Sequence, residues 1–438
     1  MIVMKFGGTS LGNAERIKVV LDLVKDNFRL KPVVVVSAHA GVTNLLLKAA
    51  AVDGDFEKTY DEIIQRHRDI LRSLDLGEDL VNSELQELHE LLRGIHLVRE
   101  LTPRTRDYAA SFGERISSKI IAAYFSHQGL AATAVNAYDV GFITDSNFGD
   151  AILIKGQQEE VADRLNSMSK LPVVTGFIGK NRQGDITTMG RGGSDTTAAI
   201  IGGALNVKEI QIWTDVDGVM TAPPKMVPSA QSIPRMTFDE AAELAFFGAR
   251  VLHPDCLWPA VQNNIPVRVL NTYKPDHPGT VICNEVEPGA NPVRAIVFKE
   301  NQILFNIISS RMLMSYGFMA RVFDVFSRYC TPVDMIATSE VSISLTVALD
   351  ENLEEIVKEL SHFSEVTVKK YQAIVCVVGS HIQGTVGIPG HVFEVLRRHS
   401  IDVRMISVGA SKINISFVID NSNIEKTVQE LHLKFFNC

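Results

Sequence analysis

Three short stretches combine glycine with side chains that hold anions. TTMGRGGSDTTAA (187–199) sets Gly190, Gly192 and Gly193 around Arg191, then runs into Ser194, Asp195, Thr196 and Thr197. Glycine lets a backbone approach a ligand, a helix start presents free N–H groups, and a guanidinium forks onto a carboxylate or phosphate. The stretch reads as an anion site; the plainer alternative is a glycine loop with an ordinary Ser/Asp helix cap. KFGGTS (5–10) puts Lys5 at the end of an apolar run, followed by Gly7, Gly8, Thr9 and Ser10. It suits a phosphate cradle or a tight turn, and it matches neither G-x-G-x-x-G nor a Walker A sequence. WTDVDGVMTAPP (213–224) offers Thr214, Asp215 and Asp217 to a ribose, an adenine or Mg²⁺. Asp217-Gly218 is also a turn signal, and Asp217 reads as a turn residue.

Three further stretches are less telling alone. Glu114 in SFGERISS (111–118) reads by itself as a solvated helix residue. SAHAGVTN (37–44) offers Ser37, Gly41 and Thr43, and FFGARVLHP (246–254) offers Arg250 and His253, the latter as a local hydrogen-bonder. The chain has no HExxH, GxSxG or HRD/DFG set, so hydrolase and protein-kinase chemistry find no support. Glycine loops, one lysine, one arginine and a few carboxylates fit phosphoryl transfer between anions, which needs positioning and charge neutralisation, often with Mg²⁺. A carboxylate acceptor is ionised at neutral pH, so no general base is required.

These residues must be held at strand ends. Residues 2–6 read as a strand, Ile17, Val20, Leu21 and Val24 as a helix stripe, and Val33–Val36 as a strand buried on both faces. Residues 55–128 are mostly helical in pattern; strands follow at 172–178, 209–214 and 266–270, with a helix at Ser194–Leu205. The alternation predicts an open, mostly parallel α/β sheet with helices on both faces. Proline and glycine cluster at 271–293, a candidate boundary. Beyond it, GFMARVFDVFSRYCTPVDMIATS from 317 repeats as GIPGHVFEVLRRHSIDVRMISVG from 387. With leading strands at 303–308 and 373–378, each copy becomes a βαββα module of ferredoxin-like type, a structural duplication or a pair of small-ligand sensors.

At 438 residues the chain holds two or three domains. Its net charge of −8 argues against nucleic-acid and anionic-membrane partners. No apolar run approaches the roughly 20 residues of a membrane span. The chain opens on a strand pattern rather than a leader, and its five cysteines are scattered, so a cytoplasmic setting with reduced thiols and no disulfide frame or zinc site is expected.

In this order, KFGGTS, SAHAGVTN, SFGERISS, GFITD, TGFIG, TTMGRGGSDTTAA, IWTDVDGV and FFGARVLHP resemble aspartate kinase, and SYGFMARVF…VDMIATSEVSISLTV resembles the ACT regulatory domains of its lysine-inhibited single-function form. The resemblance implies an amino-acid-kinase fold at 1–292 and two ferredoxin-like βαββαβ ACT domains, one at 309–370 inserted in a discontinuous one at 293–308 and 371–438. It implies transfer from ATP, with nucleotide-borne Mg²⁺, to L-aspartate, giving 4-phospho-L-aspartate and ADP, the first step toward lysine, diaminopimelate, methionine and threonine. Lys5 and Asp195 would serve the phosphoryl centre; Thr43, Glu114, Arg191 and Ser194 the aspartate, with Glu114 facing its ammonium; Gly7, Gly8, Thr214, Asp215, Lys225 and Arg250, with Lys5, the ATP. A lysine effector would lie near Met312, Ser315, Gly317, Phe318, Met319, Val333, Asp334 and Thr338, with Asp334 facing its amine, and the second copy, carrying Arg404 there, would build a homodimer or tetramer. The chain departs from the family at Thr221-Ala222-Pro223-Pro224-Lys225, where Thr-x-Asp-Pro-Arg is frequent, and at Met220 and Arg250, often tyrosine and lysine. Acetylglutamate kinase, uridylate kinase and a catalytically silent amino-acid sensor are the rival readings.

Overall fold

The computed structural model describes residues 1–248, 254–286, 291–309, 316–349, 352–380, 382, 385–408 and 413–436, with the backbone alone at 254–257. It divides into two compact units: Met1–Val219 with Pro234–Phe238 and Val251–Val286, and Met220–Ile233 with Asp239–Arg250 and Glu287–Cys438. Met220–Ile233, Asp239–Arg250 and the stretch from 287 to 292, all within 1–292, therefore belong to the second unit. Glu240, fully buried, shows why: it accepts the Ser380 N–H at 2.8 Å, while Glu243 accepts the Asn414 amide at 2.7 Å.

The first unit is built on an eight-stranded sheet in the order Ala132–Val135, Leu171–Thr175, Pro32–Val36, Ile2–Phe6, Ile210–Thr214, Val267–Asn271, Thr280–Cys283, Arg235–Thr237. Only the pairing of Val267–Asn271 with Thr280–Cys283 is antiparallel. Every residue of Ile2–Phe6, Pro32–Val36 and Leu171–Thr175 is buried, as a sheet covered on both faces requires. Helix Ala14–Asp26 buries Ile17, Val20, Leu21 and Val24 and is capped by Asn13, which accepts the Arg16 N–H. The predicted strand at 172–178 is instead two. It leaves the main sheet after Thr175, turns through Phe177 at φ 66°, and enters a three-stranded sheet of Ile143–Thr144, Ile178–Asn181 and Ile186–Thr188. Gly176 makes the turn feasible, since a Cβ there would lie 2.5 Å from the Ser194 Cβ.

The second unit carries an antiparallel six-stranded sheet in the order Val333–Thr338, Ser342–Ala348, Ala295–Ile308, Glu365–Val378, Asn414–Asp420, Met405–Ser407. Its two 14-residue strands serve both repeats. Ala295–Lys299 pairs with Ile374–Val378, and Gln302–Ile308 pairs with Ser342–Ala348 and again with Glu365–Gln372. Each repeat has its own core: Val322, Phe326 and Ile356 against Phe305 and Leu345 in one, Val392, Leu396 and Val428 against Val375 and Phe417 in the other. Among the described residues no helix is long and apolar enough to cross a membrane.

Candidate active site

Lys5 stands next to the end of strand Ile2–Phe6 with parallel neighbours on both sides, in register with Val35 and Ile212, and is only 9% exposed. A buried ammonium needs an anion, and Asp195 Oδ1 lies 2.5 Å from its Nζ. Asp195 stands in the first turn of helix Gly193–Leu205, an end that favours negative charge. Beyond Lys5 the Gly7 N–H donates to the Trp213 carbonyl at 3.1 Å. A Cβ on Gly8 would come within 2.8 Å of the Ala38 carbonyl oxygen, so the close approach requires glycine. Gly192, at φ 73°, turns the chain into the helix.

Helix Pro103–His127 brings in the second charge. Glu114, read from the sequence alone as solvated, is 3% exposed. Gly113 lets the helix sit this close, for a Cβ there would fall 2.7 Å from the Ala38 Cβ. Glu114 Oε1 accepts the Ala38 N–H at 3.1 Å, and Oε2 is buried with no hydrogen-bond partner. Burial pushes its carboxyl up to about 8, against the opposing pull of the Ala38 N–H and the Lys5 charge. An acid left neutral for want of a cation is what a cationic ligand group would relieve.

These groups line one cleft of about 580 Å³, in which Lys5, Gly7 and Gly8 meet Glu114, Ser194 and Asp195. Thr43, Thr214 and Asp215 line it as well. The site therefore offers a cation and a helix N-terminus for phosphate, and a carboxylate for an ammonium.

A profile of the amino acid kinase family matches residues 1–271, and one of the ACT domain matches 305–361 and 375–435. The chain is 42% identical to aspartokinase 1, chloroplastic, of Arabidopsis thaliana, over 99% of this chain and 80% of that one. It is 35% identical to lysine-sensitive aspartokinase 3 of Escherichia coli, over 100% and 99%. The chain belongs to the aspartokinase family. Among solved structures, E. coli aspartokinase III in complex with aspartate and ADP superimposes with a TM-score of 0.86 at 34% identity, covering all of both chains. The same aspartokinase in complex with lysine and aspartate gives 0.83, also at 34% identity, covering 100% of this chain and 99% of that one.

Against this aspartokinase framework the remaining sequence-predicted residues fall out as follows. Arg191 is exposed and does not line the cleft, although Gly190 and Gly192 beside it do. Lys225 is exposed in the second unit. Arg250, His253, Met312 and Ser315 lie outside the described residues. Asp217 is a loop tie, bonded to the Asn271 amide at 2.5 Å and paired with Lys274 at 2.7 Å. Gly317, at φ 80°, caps helix Phe318–Arg328; Phe318 is buried and Met319 exposed. Val333, Asp334 and Thr338 share strand Val333–Thr338. Asp334, expected to face an effector amine, already holds the Lys299 ammonium at 2.6 Å.

His39, Asp107 and Phe177 escaped the sequence reading. Phe177 lines the cleft and packs on Gly193, where a Cβ would lie 2.8 Å from its ring. His39, 1% exposed, also lines the cleft and donates from Nδ1 to the Leu11 carbonyl at 2.6 Å, tying the 37–41 loop to the Gly8–Leu11 turn. Its ring lies 5.6 Å from that of His67, which bonds the Ile63 carbonyl in the same way. Burial lowers the two imidazoles to about 3 and about 4. Below the ordinary value of 6.5 the unfolded chain takes up protons that the folded one refuses, so stability drains as pH falls from 6.5 toward 4. His39→Gln is expected to flatten the slope of apparent Tm between pH 6.5 and 4.5; an unchanged slope contradicts the assignment.

Proposed function

We propose that the chain transfers the γ-phosphoryl group of ATP to the side-chain carboxylate of L-aspartate, giving 4-phospho-L-aspartate and ADP, and that lysine restrains it. The observation that carries this reading is the buried, half-satisfied Glu114 in the same cleft as the Lys5–Asp195 pair. A carboxylate waiting for an ammonium suits a free amino acid and disfavours an N-acylated one or a nucleotide acceptor. The acceptor oxygen attacks the γ-phosphorus, the bond to the β-bridging oxygen breaks, and ADP leaves with no proton transferred. Lys5 neutralises charge on the transferring group, and Gly7 and Gly8 keep the backbone close to it. Asp195 fixes the Lys5 ammonium. Thr214 and Asp215 serve the nucleotide. Glu114 takes the substrate ammonium, Arg191 its α-carboxylate, and Thr43 and Ser194 complete that pocket.

Among the described residues no three His, Cys, Asp or Glu gather for a metal ion. Mg²⁺ fits as a companion of the nucleotide phosphates, with the oxygens of Asp195 and Asp215 within its donor preference, and it supplies charge neutralisation.

The lysine effect rests on the relatives named above and on the ACT repeat. Arg404, which stands for Asp334 in the second copy, is paired with Asp402 at 2.7 Å, so that copy offers no equivalent carboxylate. An effector amine at Asp334 must share or replace Lys299. The second copy is left to build a homodimer or tetramer.

A coupled ADP-release assay with Mg-ATP tests the reading. Turnover is expected with aspartate and not with N-acetylglutamate or UMP, and millimolar lysine is expected to lower it. No turnover with aspartate overturns the activity; a rate indifferent to lysine overturns the effector alone.

A further inference from the structure

We propose that Asp107 is a positioning residue for the amino-acid substrate: its carboxylate fastens together the two loops on either side of Gly190 and so fixes where Arg191 can reach. The proposal rests on the reading that Arg191 takes the substrate α-carboxylate.

Asp107 lies on helix Pro103–His127 and is 3% exposed. Oδ2 accepts two backbone N–H groups, from Gly149 at 2.9 Å and from Thr188 at 2.8 Å, and Oδ1 accepts the Thr188 hydroxyl at 2.9 Å. Thr188 ends strand Ile186–Thr188, three residues before Arg191. Gly149 belongs to the turn after strand Ile143–Thr144, which is bonded to the same place: the Ala151 N–H donates to the Thr188 carbonyl at 2.8 Å. This turn backs directly onto the arginine loop. Gly190 sits at φ 65°, and a Cβ on it would collide with the Asp150 carboxylate and lie 3.4 Å from the Gly149 carbonyl oxygen. The arginine loop thus has a wall, and one buried carboxylate holds wall and loop in register.

The cost of burying that carboxylate marks the site as specific. Desolvation raises its carboxyl above the usual range, and the Gly149 and Thr188 donors offset part of the rise. A helix that needed only to pack here would be served by an apolar residue.

Asp107 and Glu114 are seven residues apart, close to two helical turns, so they share one stripe of the helix. One rigid element therefore sets both ends of the amino acid: Glu114 directly at the ammonium, Asp107 through the loops at the α-carboxylate. Precise sites are held in this way by groups whose own partners are fixed.

Steady-state kinetics with both substrates decides it. Asp107→Ala is expected to raise the aspartate KM at least about tenfold while the ATP KM stays within about twofold. Asp107→Asn keeps an oxygen for the two backbone donors and can donate to the Thr188 hydroxyl, so it is expected to restore the aspartate KM to within about threefold of the parent. Thr188→Val removes one of the three bonds without touching the backbone, and a rise of about threefold in the aspartate KM is expected. Arg191→Gln is the control. If it leaves the aspartate KM unchanged, the reading of Arg191 fails and the proposal with it. If it raises that KM and Asp107→Ala does not, or Asp107→Ala raises both KM values equally, the role of Asp107 alone is refuted. Should Asp107→Ala not fold, an unchanged aspartate KM in Thr188→Val overturns the proposal.

Discussion

Glu114→Gln is expected to raise the aspartate KM by about a hundredfold at pH 8 and, at the same pH, to raise the apparent Tm of the unliganded protein. The two effects have one cause. Glu114 is buried with Oε2 unpartnered, and burial carries its carboxyl to about 8 from an ordinary 4.5. Between those values the folded chain retains a proton that the unfolded chain releases, so the contribution to stability falls as pH rises from 4.5 to 8. The slope is at most about 1.4 kcal/mol per pH unit. Glutamine carries no such titration, so its advantage grows across that window and levels off above it; at pH 8 an increase of at least about 2 °C is expected. A substrate ammonium at Glu114, as proposed, would reverse the balance, because it favours the carboxylate. Losing a charge-assisted hydrogen bond of about 1.5–3 kcal/mol corresponds to roughly a 10- to 150-fold weaker association. The parent's aspartate KM is expected to fall as pH rises from 6 to 8, and the variant's to stay level. A variant whose KM moves less than about threefold, or whose Tm drops at pH 8, contradicts this account. On this reading the site would hold its function at the expense of stability, as is common in sites that await a charge.

Lys5→Met is expected to lower kcat by about a thousandfold. Removing one preorganised group that faces developing charge typically loses about 10²–10³ in rate, and this ammonium is unusually well held. Strands on both sides fix its backbone, and Asp195 pairs with it at 2.5 Å, while an ammonium has three donors to offer phosphate oxygens. The aspartate KM is expected to rise by only a few fold, and more at pH 6 than at pH 8, because the Lys5 charge also favours the Glu114 carboxylate. Lys5→Arg is expected to recover little, since a guanidinium is larger than the space occupied by a side chain only 9% exposed. A loss of kcat below about tenfold would remove Lys5 from the phosphoryl centre.

The glycine loops were legible in the sequence because a close approach or a positive φ leaves a residue type behind, as at Gly8 and Gly192. Their gathering with Glu114 was not legible from residues alone. A single glutamate on a helix says nothing until the whole helix is seen to be interior. The available signal was the run of small residues around it, from Ala109 and Ala110 through Ser111, Gly113, Ser117 and Ser118, all buried. The stripe that carries Glu114, with Asp107, Ala110, Ser111, Ser117, Ser118 and Ile121, is buried, so it offers no solvated face for a carboxylate. The break at Phe177 was hidden because Val173 to Ile178 is uniformly apolar but for Thr175 and Gly176, and periodicity does not show where a buried strand changes sheets. Asp107 and the Lys299–Asp334 pair depend on register between segments far apart in the chain, which no local pattern encodes.

The strand Ala295–Ile308 bears a timing constraint. Both of its sheet neighbours, Ser342–Ala348 and Glu365–Val378, follow it in the chain. On a ribosome adding about 5–20 residues per second, it waits seconds with both edges open until Ser342–Ala348 emerges, and longer with one edge open until Glu365–Val378 is complete. Most of the strand is buried in the finished sheet, including Ile296, Ile303, Phe305 and Ile307. An open, apolar 14-residue edge is a template for pairing with another nascent chain. Charge tempers it midway, at Lys299 and Glu300. Truncation between residues 308 and 342 leaves this segment with neither neighbour, so such shortened forms are expected to aggregate rather than to yield a catalytic unit with a silent tail.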